Sequence, residues 1–577
     1  MPRRGASRLA AQPSPAAARG FGCDAWRAAR SLNLTQNRGT TPDERIALPQ
    51  SPTRPELIQR LRTTPRWDLV VIGGGATGLG VALDAAARGF TVALVEAEDF
   101  AKGTSSRATK LVHGGVRYLA QGNVALVHEA LRERATLLHN APHLAQPLAF
   151  VMPCHRAWET PFYGIGLKAY QWLAGRRSLG ATRLLSASEA LAQLPGLQAD
   201  GLRGGVSYWD AQFDDARLAT TLARTAIARG AAVLNHCAAV RLVHEGERVT
   251  GVEVQERESG EQFTLHAACV INAAGVWVDA VRELDRRYKR PMVAPSQGVH
   301  LVVDRDFLPG AGGHHKALIV PRTRDGRVLF AVPWLGKTLL GTTDTPREDL
   351  PAEPTPLAGE IEFILGEAGR YLARAPQRAD VRSIWAGLRP LVRHKGDHED
   401  DTKTISREHV VAVSRSGMVT VTGGKWTTYR AMAEDVLARC FKAGLLPARR
   451  GGVTEHLPLL GADGPRAVAI AAPPGAHLYG SEAAQLQSLP GADRWLWRDG
   501  DGGLSEAMVR FAVRFEMART LEDVLARRSR LLFLDAREAE RLAEPVAAIV
   551  GEELGRPIDA AQLSAFRQLA QQYQLRP

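Results

Sequence analysis

Lys110, His113, Arg117 and Tyr118 crowd into SSRATKLVHGGVRYL (105–119), around the adjacent glycines Gly114 and Gly115. An imidazole titrates near neutrality, so His113 is a candidate base; holding a neighbouring group by a hydrogen bond is its alternative role. A planar guanidinium grips an oxyanion with two parallel hydrogen bonds. Far downstream, Arg389 in GLRPL (387–391) and Lys425 and Thr427 in TGGKWTTYR (422–430) add the same kinds of group. Together they suit an anionic ligand held beside a group able to move a proton. Gly423 and Gly424 open the helix that carries Lys425, and a helix N-terminus favours negative charge, although a plain helix start would need the same glycines.

These residues need a scaffold, and the clearest piece is WDLVVIGGGATGLGVALDAAARGFTVALVEAEDF (67–100). The continuous apolar run Leu69 to Ile72 predicts a strand buried on both faces, 76–88 a helix, and Thr91 to Val95 a second buried strand. Gly73, Gly75 and Gly78 form G-x-G-x-x-G at the turn, and Glu96 ends the second strand eighteen residues after Gly78. In that context the glycines permit a tight turn, close approach of backbone to a pyrophosphate, and close helix–strand packing; Glu96 can accept a ribose hydroxyl. The acid disfavours a 2′-phosphate, leaving FAD or NAD. After Glu96 the chain leaves the βαβ pattern for a polar loop and β-rich insertions, an interleaving that suits FAD.

Residues 231–275 and 314–344 alternate short β-rich runs with turns, which predicts antiparallel sheet. Residues 393–403 read as a solvated loop, 410–424 as a hairpin, and 508–534 as helical. The predicted fold class is α/β: a Rossmann-type cofactor-binding domain interleaved with an antiparallel-sheet substrate domain, plus a helical C-terminal cap. The expected boundaries are a disordered basic extension over 1–62; a cofactor domain mainly over 65–150, 205–280 and 400–445, interleaved within 63–445 with a substrate domain mainly over 151–204 and 281–400; and a helical domain over 446–577.

The net charge of +12 would suit a nucleic-acid binder, but residues 1–62 hold eleven Arg against four acids. With the charge concentrated there, no nucleic-acid partner is expected. That Arg-, Ala- and Ser-rich segment has the composition of a transit peptide and equally of a plain extension. Five scattered cysteines form no C-x-x-C, and His314 and His315 lack further ligands at metal spacing, so no metal is expected and the pair reads as a surface turn. His300 opens a strand and is a second-rank candidate for the pocket. YGIGLKAYQWLAGRRS (163–178) mixes aromatics and cations as either a membrane-surface helix or an ordinary amphipathic one would. No run of apolar residues is long enough to cross a membrane.

In VVIGGGATGLGVALDAAARG, TSSRATKLVHGGVRYL, DDARL, INAAGVWVD, GTTDT, GLRPL, ISREH and TGGKWTTYRAMAE, taken in order, the sequence resembles the FAD-dependent glycerol-3-phosphate dehydrogenases of the D-amino-acid-oxidase-like flavoproteins. The resemblance spans roughly residues 65–535. It implies oxidation of sn-glycerol 3-phosphate to dihydroxyacetone phosphate, with FAD as cofactor and a membrane quinone, or oxygen in oxidase relatives, as acceptor. It also implies a peripheral membrane setting, at the inner face of a bacterial cell membrane or at the mitochondrial inner membrane if the N-terminus is a transit peptide, and it leaves a homodimer open. By position, Arg117, Tyr118, Arg389, Lys425 and Thr427 are the implied substrate-holding groups, with His113 beside the flavin and His113 and Arg389 as catalytic candidates. Ser105, Ser106, Lys110, Gly114, Gly115, Gly275 and Gly424 join the glycine turn and Glu96 as the implied cofactor contacts. Trp426 stands where relatives often carry a smaller apolar residue.

Overall fold

Leu69, Val70, Val71 and Ile72 are all buried in the computed structural model, which describes residues 52–116, 119, 122–286, 290–312, 314–393, 408–464 and 468–576. A strand that is apolar on both faces needs cover on both, and Trp67–Ile72 sits inside a largely parallel sheet. The order is His409–Val413, Val419–Gly423, Gln262–Asn272, Trp67–Ile72, Val92–Val95, Ala232–Leu234. Gln262–Asn272 and Val92–Val95 both run parallel to the central strand. Cys237–Glu245 and Arg248–Glu256 form an antiparallel ribbon on the first half of Gln262–Asn272. Residues 231–275 thus supply both kinds of pairing, where their turns predicted antiparallel sheet alone, because Ala232–Leu234 pairs parallel with Val92–Val95.

Helix Ala76–Ala87 follows the glycine turn and packs on helices Asp215–Ala228 and Tyr429–Lys442. A Cβ at Gly78 would overlap the carbonyl oxygen of Gly73, so the helix reaches this distance from the strand only with glycine there.

A second sheet has ten strands, in the order Thr345–Pro346, Val293–Asp304, Lys337–Gly341, Leu329–Trp334, Ala317–Val320, Ala145–Cys154, Gly204–Phe213, Leu111–Val112, with Ser383–Val392 and Arg183–Ser186 attached at its sides. Its pairings are antiparallel except that of Ala317–Val320 with Ala145–Cys154. Residues 145–150 and 204–213 therefore belong with this sheet, whereas the sequence pattern assigned 65–150 and 205–280 mainly to the cofactor half. Alternating strands show which face is buried and not which sheet they join. One face packs on helix Ala358–Tyr371, the other on the C-terminal helices, among them Glu506–Phe515 and Ala543–Leu554. The tail is helical apart from a hairpin, Trp495–Asp499 with Gly502–Ser505. It is stitched to the sheet by backbone: Ile384 N donates to Tyr573 O (2.8 Å) and Ala536 N to Arg382 O (3.1 Å).

The expectation of disorder through residue 62 fails from residue 52 onward; residues 1–51 lie outside the described residues. Arg54–Thr63 is a helix, started by a capping box between Thr53 and Glu56. Leu57 and Leu61, one turn apart, are buried, and Arg54 donates to Asn235 Oδ1 (3.0 Å).

The junction between the cofactor half and the tail is a buried charge cluster. Asp99 accepts from Arg527 and Arg528, while His236 Nε2 lies 2.9 Å from Asp523 Oδ2. Asp99, His236 and Asp523 come together as metal ligands might, but Arg527 and Arg528 engage the carboxylates instead. Burial alone would lower the His236 pKa; Asp523 and Asp99 outweigh it and raise the pKa above the usual 6.5. A raised imidazole pKa stabilises the fold fully below the unfolded value, and the stabilisation fades as pH rises through the folded one. His236→Gln should therefore lower the urea midpoint most at about pH 6 and least well above neutrality, a convergence read from unfolding curves across that range.

Candidate active site

The C-terminal ends of the parallel strands open into a cleft of about 390 Å³. Gly73 and Gly75 line it at the start of helix Ala76–Ala87, whose first turn contains no acid. An anion placed here would meet the positive end of the helix. Ser105 Oγ accepts from Ala76 N (3.0 Å), fixing the 104–106 turn on that terminus. Glu96 lies in the lining with its carboxylate oriented by Gly74 N (2.6 Å) and Glu98 N (2.9 Å). Burial, only partly opposed by those donors, raises its pKa above the ordinary carboxylate value. Gly275, Gly424, Lys425 and Trp426 complete the lining toward the other end. Gly275 belongs to the INAAG turn, where Asn272 Oδ1 accepts from Ala274 N (3.2 Å) and Asn272 Nδ2 donates to Val278 O (2.8 Å).

At that end the separate motifs meet. Thr427, on the turn that carries Lys425, accepts from His113 N (3.3 Å) through Oγ1. Trp426 Nε1 donates to Ser105 O (2.9 Å) and its ring packs edge-on against Phe213, so the large side chain ties the two loops together. Pro390 lines the cleft, and its neighbour Arg389 donates through Nη2 to Thr342 Oγ1 and Thr343 O (both 2.9 Å) and through Nη1 to Asp344 (3.3 Å). GLRPL and GTTDT are thereby one structural unit. A Cβ at Gly298, on the adjoining strand, would overlap the Arg389 guanidinium.

Other expected residues fall elsewhere. Gly78 is buried in the helix, and Gly114, also buried, donates its N–H to Tyr170 Oη (2.8 Å). Gly115 is buried with φ +79°. Arg117 and Tyr118 lie outside the described residues. His300 is stacked on Trp385 (4.3 Å between centroids) with Nε2 3.0 Å from Thr109 Oγ1, and does not reach the cleft. Burial and the nearby Lys110 and Arg389 charges hold its pKa well below 6.5, so it stays neutral. His314 closes a turn by donating to Ala311 O (3.0 Å). Sequence reasoning passed over Lys102 and Trp277, both in the lining. Lys102 is tied to Glu353 (3.2 Å), and Trp277 Nε1 to Leu350 O (3.1 Å). Trp277 stands inside the INAAGVWVD motif, whereas Lys102 lies between motifs.

Lys110 and Ser106 need correction as cofactor contacts. Lys110 Nζ is fully buried, 2.7 Å from Asp215 Oδ2 and 2.8 Å from Ser106 O. Trp334, Trp385 and Phe533 surround it, and Arg530 shares both Ser106 O (2.8 Å) and Asp215 (3.2 Å). The ammonium thus supports the loop from behind and faces away from the cleft. Burial pulls its pKa down to about 7 against the opposing pull of Asp215.

Residues 68–430 match the family described as FAD dependent oxidoreductase, and 452–561 match the C-terminal domain of alpha-glycerophosphate oxidase. The mitochondrial glycerol-3-phosphate dehydrogenase of Arabidopsis thaliana is 41% identical over 526 residues, covering 84% of this chain and 82% of that protein. The mitochondrial glycerol-3-phosphate dehydrogenase of Homo sapiens is 39% identical over 540 residues, 88% of this chain and 73% of that one. The solved glycerol-3-phosphate dehydrogenase from Bacillus halodurans, complexed with FAD, superposes with a TM-score of 0.69 at 29% identity, covering 90% of this chain and 97% of that chain.

The support behind the loop can be tested apart from the cleft. Lys110→Met keeps the apolar stem and leaves the Asp215 carboxylate with Arg530 and two backbone N–H donors, and should cost about 3 kcal/mol in urea unfolding because a buried carboxylate loses its nearer cation.

Proposed function

Because the chain belongs to the FAD-dependent glycerol-3-phosphate dehydrogenase family, we propose that it oxidises sn-glycerol 3-phosphate to dihydroxyacetone phosphate and passes the electrons to a membrane quinone. The observation that carries this reading is one cleft lined by the glycine turn, Glu96, Pro390, Gly424 and Lys425, with Arg389 next to Pro390 in the chain and Thr427, two residues after Lys425, bonded to the His113 backbone. The residues fit FAD. The start of helix Ala76–Ala87 suits a pyrophosphate, Glu96 suits a ribose hydroxyl, and the space beyond the Cα of Gly275 is open. Bound FAD supplies the two-electron acceptor for the hydride that leaves C2 of the substrate.

The chain's own part is positioning and proton transfer. Thr342, Thr343 and Asp344 hold the Arg389 guanidinium in one orientation before substrate arrives, and Lys425 brings a second cation to the same end. A phosphate dianion clamped there fixes the carbinol carbon, with Arg117 and Tyr118 joining the clamp by motif position alone, and an imidazole nitrogen of His113 takes the C2 hydroxyl proton. Gly423 and Gly424 line the cleft at the start of the Lys425 turn, a place suited to a negatively charged ring edge. The setting is a membrane surface touched peripherally, mitochondrial or bacterial, with a homodimer as the assembly. No helix among the described residues is long and apolar enough to cross a membrane. The match of 452–561 to an oxidase domain favours one second reading, in which oxygen takes the electrons.

Anaerobic mixing with glycerol 3-phosphate should bleach the flavin band while glycerol leaves it unchanged; equal bleaching by glycerol and lactate would overturn the phosphate clamp. Arg389→Lys, which loses the planar fork, should lower kcat/KM about a hundredfold. Reduced enzyme should reoxidise faster with a quinone analogue than with oxygen, and the reverse order selects the oxidase reading.

A further inference from the structure

The peptide that joins His113 to Gly114 is gripped at both ends by side chains. Its carbonyl oxygen accepts from Thr427 Oγ1 (3.4 Å), and its N–H donates to Tyr170 Oη (2.8 Å). The carbonyl and the N–H of a trans peptide point opposite ways, so two such grips fix the rotation of the plane. The preceding N–H, that of His113, is held by Thr427 Oγ1 as well (3.3 Å). Both planes that flank the His113 Cα are therefore set, and the direction in which the imidazole leaves the backbone follows. Thr427 acts from the Lys425 turn, whereas Tyr170 acts from helix Glu159–Ala174 and lies outside the cleft lining.

The phenol is itself oriented. Its proton goes to Asp210 Oδ2 (2.9 Å), which leaves a lone pair for the Gly114 N–H, and Asp210 Oδ1 accepts from Arg134 (2.7 Å). All three side chains are buried. Burial, with Asp210 adding to it, carries the Tyr170 pKa well above the usual 10, so the hydroxyl keeps its proton. The ring is seated in a small apolar cluster with Val127 and Leu131, and a Cβ at Gly114 would overlap the hydroxyl. One helix, Val124–Asn140, stands behind both grips. Arg134 braces Asp210, and its neighbour Glu133, about 100° round the helix, accepts two bonds from Arg430 (2.8 and 2.6 Å), three residues after Thr427.

We propose that Tyr170, oriented by Asp210 and Arg134, is a positioning residue for His113: it holds the 113–114 peptide so that the imidazole meets the substrate hydroxyl. Without the phenol oxygen a buried N–H and a buried carboxylate oxygen lose their partner, and the loop turns to satisfy them. The loss falls on rate rather than on binding, because the phosphate is clamped by other groups and only the proton transfer depends on the imidazole direction. The role rests on His113 as the base of the reaction proposed above.

The test mixes the FAD-loaded full chain anaerobically with glycerol 3-phosphate. Tyr170→Phe, which keeps the ring on Val127 and Leu131, should slow flavin bleaching at saturating substrate about thirtyfold and leave the substrate concentration for half-maximal rate within about twofold. In a His113→Gln background, where the base is already gone, the same change should cost less than about twofold. Amide hydrogen exchange over residues 111–116, read by mass spectrometry without substrate, should quicken about tenfold in Tyr170→Phe and stay unchanged over 69–83. Asp210→Asn keeps an acceptor for the phenol and should slow bleaching about threefold with the same rate-only signature; it carries the double-variant comparison if Tyr170→Phe does not retain FAD. Equal losses in the parent and His113→Gln backgrounds, or a loss confined to substrate affinity, overturn the positioning role and leave the substrate reading standing. So does bleaching in Tyr170→Phe that matches the parent. A parent protein that glycerol 3-phosphate does not bleach overturns both.

Discussion

The cleft depends on the register of parallel strands. Ile72 lies opposite both Asn272 and Val95, and Asn272 lies opposite Thr420, so four segments from distant parts of the sequence end at one level. Each strand end then delivers its next residues to the same place: the glycine turn, Glu96, the Ala273–Gly275 turn and the Gly423–Lys425 loop. A parallel sheet does this because its carboxyl ends share an edge, with loops free to diverge beyond it. A one-residue slip of Gln262–Asn272 would reverse which of its side chains face the helices and carry Gly275 out of the lining.

The other half of the site is held by buried charge. Arg389 is braced by GTTDT, and the loop that carries His113 rests on Lys110, Asp215 and Arg530. Such groups are costly to bury unless every partner is in place, and removal of one leaves a charge without water. The arrangement therefore gives little latitude: the loop is supported only when the DDARL helix start, the second sheet and the C-terminal helices have all closed on it. Among these groups Arg389 is the one proposed to meet the substrate, while Lys110, Asp215 and Arg530 hold the loop.

Much of the nucleotide half was legible. The unbroken apolar run Leu69 to Ile72, the glycine spacing and the acid at Glu96 each have a mechanical reason that does not depend on the rest of the chain. Lys110 was misread because a cation beside glycines suggests a ligand, whereas its direction was decided by a left-handed backbone (φ +64°) and by Asp215, a residue 105 positions away. The sheet membership of Ala145–Cys154 and Gly204–Phe213 was hidden for a similar reason, since pairing partners are not written in alternation. Arg54–Thr63 had a local signal, the Thr53 and Glu56 cap with Leu57 and Leu61 one turn apart, masked by the basic composition around it. Lys102 and Trp277 are held in the lining by tertiary contacts with Glu353 and Leu350, which the INAAGVWVD motif around Trp277 does not announce.

The two backbone hydrogen bonds from the tail onto the strand Ser383–Val392 and its flank carry a consequence for biogenesis. Tyr573 stands a few residues from the end of the chain, yet its carbonyl receives the Ile384 N–H of the strand that bears Arg389. On a ribosome, the segments that form the cleft, which end with Trp426, emerge while Tyr573 is still inside the exit tunnel or unmade. The nascent chain can therefore expose the whole cleft lining before the strand carrying Arg389 gains its hydrogen bond to the Tyr573 carbonyl. In the order of synthesis, the lining of the cleft and the last support of the Arg389 strand are thus separated by more than a hundred residues.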